Sequence, residues 1–522
     1  MFDFEATRCV ADITRVQARQ NPDVTAFKFK DRETSYAALD EAASRIANAL
    51  IAAGVQPGDR VAIYAANSDR YMELFFGCTK ARATLVGVNA RLAPPEVAYV
   101  LDDSHAKLLF AGSHFYAASE AALSHAKNKP PVIALDGGHA TWPDFEGFKA
   151  AASPVDPLLP VLPDDDVIQL YTSGTTGLPK GVQITDAAYL GFFEHGVGAK
   201  WAEYQAGDVV LVAMPMFHVA GINTGVLTAG QGAKGVILEQ VDPVEILTLI
   251  ETEKVQHAFF VPAVINFLLQ VNQKRPTDFS SLERVFYGAS PIAEDLLVAA
   301  QKTMGCSFTQ LYGMTESLGA GTYLPPEAHD PALGKLRSCG KPWPGFEVQC
   351  MRDDGTPAPV GEVGEIAMRS TVLMKGYWNR PEATAETVRD GWLYTGDAGF
   401  FDADGYLYIH DRVKDMIVSG GENVYPAEVE NAVFGHESVA DVAVIGVPDE
   451  KWGEAVKAIV VLKPGAAPDA EGIIAFTRGR IAGYKVPKTV DFIEALPRNP
   501  SGKILRRELR EPYWAGHTRR VA

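Results

Sequence analysis

Eleven consecutive residues, Tyr171-Thr-Ser-Gly-Thr-Thr-Gly-Leu-Pro-Lys180-Gly181, contain three glycines, one serine, three threonines and one lysine. That mixture puts backbone N–H groups, short hydroxyls and one cationic tip into a single loop, which suits it to closing on phosphate oxygens. The P-loop spacing G-x-x-x-x-G-K-[ST] is absent, because Gly174 and Gly177 stand too close and Lys180 follows a proline. An ordinary P-loop kinase or GTPase is therefore not expected. Most Gly/Ser/Thr stretches are plain surface loops; the lysine and the partners further along the chain set this one apart. A second glycine pattern, Gly230-Gln-Gly232-Ala-Lys-Gly235, spells G-x-G-x-x-G. A helical pattern precedes it and Val236-Ile-Leu238 reads as a strand after it, the reverse of a dinucleotide fingerprint, so it is a helix-to-strand turn.

The elements that must position the loop follow from periodicity. Val167 to Leu170 reads as a strand leading into it. Ser35 is a cap candidate for a helix with Tyr36, Leu39, Ala43, Ile46 and Leu50 on one face and a stop at Gly54. Strands at Val61–Tyr64, Leu85–Val88 and Leu108–Ala111 alternate with helices at Asp69–Arg82 and Pro95–Asp102, which implies parallel sheet covered by helices. Pro130 to Pro163 lacks a sustained period and reads as a connection. Val209–Ala213 is a buried strand running into Pro215-Met-Phe-His218. Val285-Phe-Tyr287-Gly288-Ala-Ser290 and Phe308-Thr-Gln310-Leu-Tyr312-Gly-Met-Thr315-Glu316-Ser317 each read as a strand with small or polar residues at its carboxyl end, where ligands collect in open α/β sheets. Gly340 to Arg369 reads as a smaller β unit. After Asp411-Arg412-Val413-Lys414-Asp415 an α+β pattern follows, with strands at Asp441–Val447, Val456–Leu462 and Thr489–Phe492 and helices at Gly472–Ile481 and Leu505–Leu509.

Five signatures in fixed order, the opening loop, Tyr312-Gly-Met-Thr315-Glu316, Tyr394-Thr-Gly-Asp397, Asp411-Arg412-Val-Lys414-Asp415 and Pro497-Arg-Asn-Pro-Ser-Gly502-Lys503, resemble the adenylate-forming superfamily of acyl-CoA synthetases, amino-acid adenylation domains and beetle luciferase. The resemblance implies an α/β fold with a large N-terminal ATP- and acyl-binding domain, residues 1–413. A small mobile α+β C-terminal domain, residues 414–522, carries the catalytic lysine. It implies ATP, Mg²⁺ and CoA: a carboxylate attacks the α-phosphorus, expels pyrophosphate, and the acyl-adenylate passes to a thiol. Catalysis is then mainly positioning and charge neutralisation.

By the same resemblance, Thr172, Ser173, Gly174, Thr175, Thr176, Gly177 and Lys180 hold the phosphates, and Glu316 holds Mg²⁺ with Thr172 as second candidate. Gly288, Ala289, Ser290, Gln310, Tyr312, Gly313, Met314 and Thr315 surround the adenine side, with Tyr312 stacking on the ring, while Asp397 and Arg412 meet the ribose. Lys503 reaches the α-phosphate and the substrate carboxylate, and Lys414 is the hinge. Gly420 and Gly421 pass the pantetheine arm, and Lys485 and Lys488 meet the CoA nucleotide. His218, Val219, Ala220, Leu311, Gly313, Leu318 and Gly319 form the acyl pocket, with His218 beside the carboxylate. Gly313 and Gly319 are expected to leave depth for a medium-chain or aryl tail.

Phe217-His218-Val219 stands where amino-acid adenylation domains carry an aspartate for the substrate ammonium, so an α-amino acid would leave its charge unpaired. Gly420 replaces the lysine of a luciferase-like turn. A CoA ligase of fatty or aryl acids is the reading that remains, with an acyl-AMP ligase loading a carrier protein, and an inactive nucleotide-binding paralogue, as its competitors.

At 522 residues the chain exceeds one ordinary core, and its formal net charge of −17 argues against nucleic-acid partners. Cys9, Cys78, Cys306, Cys339 and Cys350 include no C-x-x-C pair, which points to a reducing cytoplasm without zinc or disulfides. No apolar run reaches the roughly 18 residues of a membrane span. A homodimer is left open.

Overall fold

The computed structural model describes residues 2–172, 179–197, 202–352, 354–412, 415, 417–419, 422–449, 452–478, 480–498 and 504–515, with the backbone alone for 410–412, 418, 422, 423 and 453. Four sheets organise the described residues. A seven-stranded sheet runs in the order Gly376–Tyr377, Lys180–Thr185, Asp166–Thr172, Thr84–Gly87, Arg60–Tyr64, Leu108–Ala111, Val132–Ala134. Its pairs are parallel except at the Lys180–Thr185 strand, which is antiparallel to both neighbours. A nine-stranded sheet holds Arg284–Gly288 and Ser307–Gly313 in parallel, flanked by His257–Phe260 and Val209–Val212.

Helices cover these sheets as the alternation predicts. Ser35 caps Tyr36–Ala52 by accepting from the Ala38 N–H at 3.2 Å. The apolar face of that helix, Tyr36, Leu39, Ala43, Ile46 and Leu50, is fully buried, and each large side chain there contributes about 1.5–3 kcal/mol. It lies so close to Asp69–Ala81 that a Cβ on Gly77 would stand 2.3 Å from Ile46 Cγ2. Glycine at 77 is what lets the two helices meet.

The smaller β unit expected over Gly340–Arg369 extends further along the chain. It is an antiparallel sheet of Glu347–Met351, Gly364–Arg369, Trp392–Phe401, Val388–Arg389 and Leu407–Arg412. A fourth sheet contains Glu422–Val424, Ile417–Ser419, Gly453–Leu462, Val439–Asp449 and Thr489–Phe492, over which Pro426–Phe434 and Ala470–Arg478 supply Val429, Val433 and Ile473 to one apolar cluster.

The stretch from Pro130 to Pro163 is more than a connection. Val132–Ala134 adds an edge strand parallel to Leu108–Ala111, and Phe145–Ala150 is a short helix capped by Asp144. A three-residue strand and a six-residue helix are too short to establish a period, so burial of Val132, Ile133 and Phe145 decides them. The C-terminal helix runs Arg506–Trp514, longer than its predicted apolar spacing, and contains Pro512.

Candidate active site

Thr172 and Lys180 face each other across the antiparallel pair of strands that bounds the phosphate loop. Both ends of that loop are tied to the same neighbourhood. The Tyr171 hydroxyl donates to Asp103 Oδ2 at 2.8 Å, and the Tyr99 hydroxyl donates to the Pro179 carbonyl at 3.0 Å. Arg380 pairs with Asp103 Oδ1 at 2.7 Å, and Trp378 Nε1 donates to the Asp103 carbonyl at 2.9 Å. Beneath them the Arg60 guanidinium lies 3.4 Å from the centre of the Trp378 ring and pairs with Asp166 at 2.8 Å.

Glu316 sits in the 3₁₀ turn Thr315–Ser317, just past the strand Ser307–Gly313, and is only 5 % exposed. Its Oε1 accepts from the Tyr377 hydroxyl at 2.8 Å and from Thr172 Oγ1 at 3.4 Å. Lys180 Nζ lies 4.8 Å over the Tyr377 ring. Thr172, Lys180, Glu316 and Tyr377 therefore converge, three of them named from the sequence and one not. Burial, with the adjacent Glu316 carboxylate, pushes the Tyr377 phenol well above its ordinary value, so it remains a donor.

An oxygen-only donor pair, Glu316 Oε1 and Thr172 Oγ1, fits Mg²⁺. Among the described residues no group of three or more His, Cys, Asp or Glu could form an all-protein cage. That also fits an ion bound by one or two protein oxygens together with phosphates and water.

Tyr312 donates its hydroxyl to Asp397 Oδ2 at 2.8 Å. Asp397 stands opposite Arg412 in the pairing of Trp392–Phe401 with Leu407–Arg412, so the two ribose candidates are neighbours by backbone register. Gln310 turns its Nε2 toward Cys339 Sγ at 3.8 Å, and its Oε1 is buried without a partner among the described residues. Ala289, directly after the strand Arg284–Gly288, holds φ at +65°, and Leu318 at +54°. Left-handed backbone at non-glycine residues concentrates at ligand sites.

Beside these residues opens an apolar cavity. Val219, Ala220, Leu311, Gly313, Leu318 and Gly319 line it, together with Ala289. His218 does not belong to its wall: the ring packs 4.7 Å from Phe217 just ahead of the helix Val219–Gly230. Its Nε2 is buried without a partner among the described residues, and desolvation brings the imidazole down to about 4. A neutral ring with an unsatisfied nitrogen is ready to take a hydrogen bond from, or give one to, a ligand.

The expectation that Gly313 provides depth needs correction. A Cβ there would meet the Gly319 backbone carbon at 2.4 Å and the Ala320 carbonyl oxygen at 2.6 Å. Gly313 is small because two backbones touch. Gly319 has φ +77°, which a side chain rarely adopts, whereas a Cβ there would make only ordinary contacts with Val219 and Asn223 at 3.7 and 3.8 Å, so conformation rather than space favours glycine.

The far wall of the cavity was not read from the sequence. Phe192, Tyr204, Asn223, Leu227, Phe286 and Trp343 belong to it. One signal was present: positions 219, 220, 223, 224 and 227 share one face of the helix that begins at Val219. In the C-terminal sheet unit, Lys485 is held by both oxygens of Glu428 at 2.8 and 2.7 Å, so it does not meet an anion as a free charge. Lys488 lies 5.7 Å over the ring of Trp452, which is 39 % exposed, and Tyr484 is 43 % exposed beside it in sequence. Ser173, Gly174, Thr175, Thr176, Gly177, Lys414, Gly420, Gly421 and Lys503 lie outside the described residues, as does the Arg412 side chain.

Fold and site together define an adenylate-forming ligase. The chain belongs to the AMP-binding enzyme family: residues 14–378 match that family and residues 428–503 match the AMP-binding enzyme C-terminal domain. Across 97% of both chains it is 40% identical to a protein named fatty acid--[acyl-carrier-protein] ligase ScoC of Streptomyces coeruleorubidus. It is 39% identical to a feruloyl-CoA synthase of an Amycolatopsis species, over 95% of this chain and 97% of that one. The solved anthranilate CoA ligase AuaEII in complex with anthranoyl-AMP superposes with a TM-score of 0.91 at 27% identity, covering 98% of each chain. The protein is an AMP-forming acid–thiol ligase, a class that uses ATP, Mg²⁺ and CoA. No helix among the described residues is long and apolar enough to cross a membrane.

Proposed function

We propose that the protein activates a hydrophobic carboxylic acid, a medium- or long-chain fatty acid or an aryl acid, and delivers the acyl group to the thiol of CoA. The observation that carries this reading is the apolar cavity lined by Gly313, Leu318 and Gly319, residues that flank Glu316 on either side in the chain. Thr172 and Glu316 would hold Mg²⁺, whose charge would offset that of the triphosphate. Lys180 would add a positive charge at the phosphates, held in place by the Tyr377 ring. Asp397, fixed by the Tyr312 hydroxyl, would accept from the ribose. His218, uncharged, would orient the substrate carboxylate without competing as a cation. Lys503 would neutralise the α-phosphate and carboxylate as attack proceeds. Lys414 would be the hinge at a boundary between residues 1–413 and 414–522. Lys488 with the exposed Trp452 would meet the CoA nucleotide, a cation beside an aromatic face.

A carrier-protein thiol as acceptor is the second reading, favoured by the name of the relative that is 40% identical. The test is AMP release over a panel of acids with ATP and Mg²⁺, comparing free CoA with a phosphopantetheinylated carrier protein. CoA-dependent turnover on apolar acids supports the first reading. Turnover with the carrier protein alone supports the second, and no turnover with any acid would overturn both. Five free cysteines favour a reducing cytoplasm as the place of action.

A further inference from the structure

The cavity has a direction. The helix Val219–Gly230 lines it with Val219, Ala220, Asn223, Thr224 and Leu227, and the rise from Val219 to Leu227 is about 12 Å. At the Val219 end Gly319 and Gly313 meet beside Tyr312, next to the nucleotide residues. Ala202 and Tyr204 mark the other end. The Ala202 carbonyl and the Tyr204 N–H both bond to the side chain of Gln231, directly after that helix. The nine-stranded sheet gives the same polarity. Its parallel strands present their carboxyl ends to the nucleotide site, Phe259 and Phe286 pair within it, and Tyr204 stacks on His257, two residues deeper than Phe259.

Tyr204 is only 3 % exposed and lines the cavity, yet its hydroxyl has no hydrogen bond among the described residues. Packing accounts for its ring, stacked 4.8 Å from His257 and edge-on to Phe286 at 6.5 Å. Packing does not account for the oxygen, because phenylalanine would make both ring contacts. His257 is itself turned to Asp208 at 3.2 Å and leaves the phenol to the cavity. A phenol in an apolar cavity wall that makes no hydrogen bond to the described residues can give its proton to a ligand atom. On the premise that this cavity is the acyl site, we propose that its Tyr204 end selects acids bearing a hydroxyl or carbonyl oxygen at the end remote from the carboxylate, received by the Tyr204 hydroxyl as donor. Burial raises the phenol above its ordinary value and keeps it protonated for that task.

The experiment measures kcat/KM for acid-dependent AMP release by the full-length protein and its Tyr204→Phe variant. The substrates are matched pairs: a para-hydroxylated arylalkanoic acid with its deoxy parent, and an ω-hydroxy fatty acid with its parent. The wild type should favour the hydroxylated member of at least one pair by about tenfold, the ratio one buried hydrogen bond supplies. Tyr204→Phe should erase that ratio while turning over the deoxy acid at least as well. Equal kcat/KM within every wild-type pair overturns the proposal, and that ratio needs no variant, so it decides even if Tyr204→Phe fails to fold. Equal loss on both members in the variant overturns it too, showing a packing role only. AMP release with unequal acids but no hydroxyl preference leaves the ligase reading intact and ends this one; silence with every acid removes both.

Discussion

Glu316 accepts two hydrogen bonds at one carboxylate oxygen, and the two donors differ in what else they do. Thr172 belongs to the strand entering the phosphate loop, whereas Tyr377 both donates and holds Lys180 over its ring. Glu316→Gln should lower acid-dependent pyrophosphate exchange by about 100-fold, since it removes a charge from the site of phosphate neutralisation. Tyr377→Phe keeps the ring under Lys180 and removes only the hydroxyl, so a loss of about tenfold is expected. If Tyr377→Phe were as damaging as Glu316→Gln, the phenol would be doing more than orienting the carboxylate. His218 gives a pH prediction at the same scale. With its value lowered from 6.5 to about 4 by burial, the ring is neutral throughout the neutral range. Its stabilising contribution is complete above pH 6.5 and is lost as pH falls through about 4, because the unfolded chain binds the proton more readily. The pH profile of kcat/KM between 5 and 8 should show no inflection that disappears in His218→Gln.

At the scale of elements, two devices hold the site: a brace under the phosphate loop and a helix face along the cavity. Asp103 accepts from Tyr171 and Arg380 and lies 3.4 Å from the Tyr99 hydroxyl, so Asp103→Ala would leave a guanidinium and the Tyr171 hydroxyl without their shared acceptor. The expected cost is about 1–2 kcal/mol in denaturant unfolding, with a raised KM for ATP and little change in KM for the acid. Similar rises in both KM values would mean that the brace supports the whole domain. The brace was invisible in the sequence because residues 60, 103, 166 and 378 come from four separate elements and share no period. The motif residues were legible for the opposite reason: Thr172, Lys180 and Glu316 lie at strand ends or beside them and Asp397 within a strand, each inside a short run with distinctive glycines. A helix with a cap was also legible, as Ser35 shows, whereas Val132–Ala134 was lost in a proline-rich stretch. The cavity's far wall was partly legible. Its helix face follows from spacing alone, and Leu227→Trp on that face should shorten the preferred acid, read as a shift of kcat/KM toward smaller members of a chain-length series with KM for ATP unchanged.

The whole molecule ties its N-terminal segment to the wall of the cavity. Phe2 stacks on Phe193 at 4.2 Å, and Val10 donates its N–H to Asp186 Oδ1 at 2.8 Å, at the start of the helix Asp186–Val197 that carries Phe192 into the cavity. Asp186 is 2 % exposed, and burial raises its carboxyl from 3.8 to about 7. Two effects oppose that rise: the Val10 N–H stabilises the anion, and the first turn of a helix favours negative charge. Desolvation outweighs them. For a raised carboxyl the stabilising contribution is complete below pH 3.8 and is lost as pH rises through about 7, the reverse of the window for His218. By pH 8 the loss amounts to at most about 4 kcal/mol. Asn at this position retains an oxygen to accept from Val10 and carries no charge to desolvate. Asp186→Asn should therefore raise the midpoint of thermal unfolding more at pH 8 than at pH 5. A variant destabilised more at pH 8 than at pH 5 would show that the anion is favoured where it sits, with the helix terminus and the Val10 amide prevailing over burial.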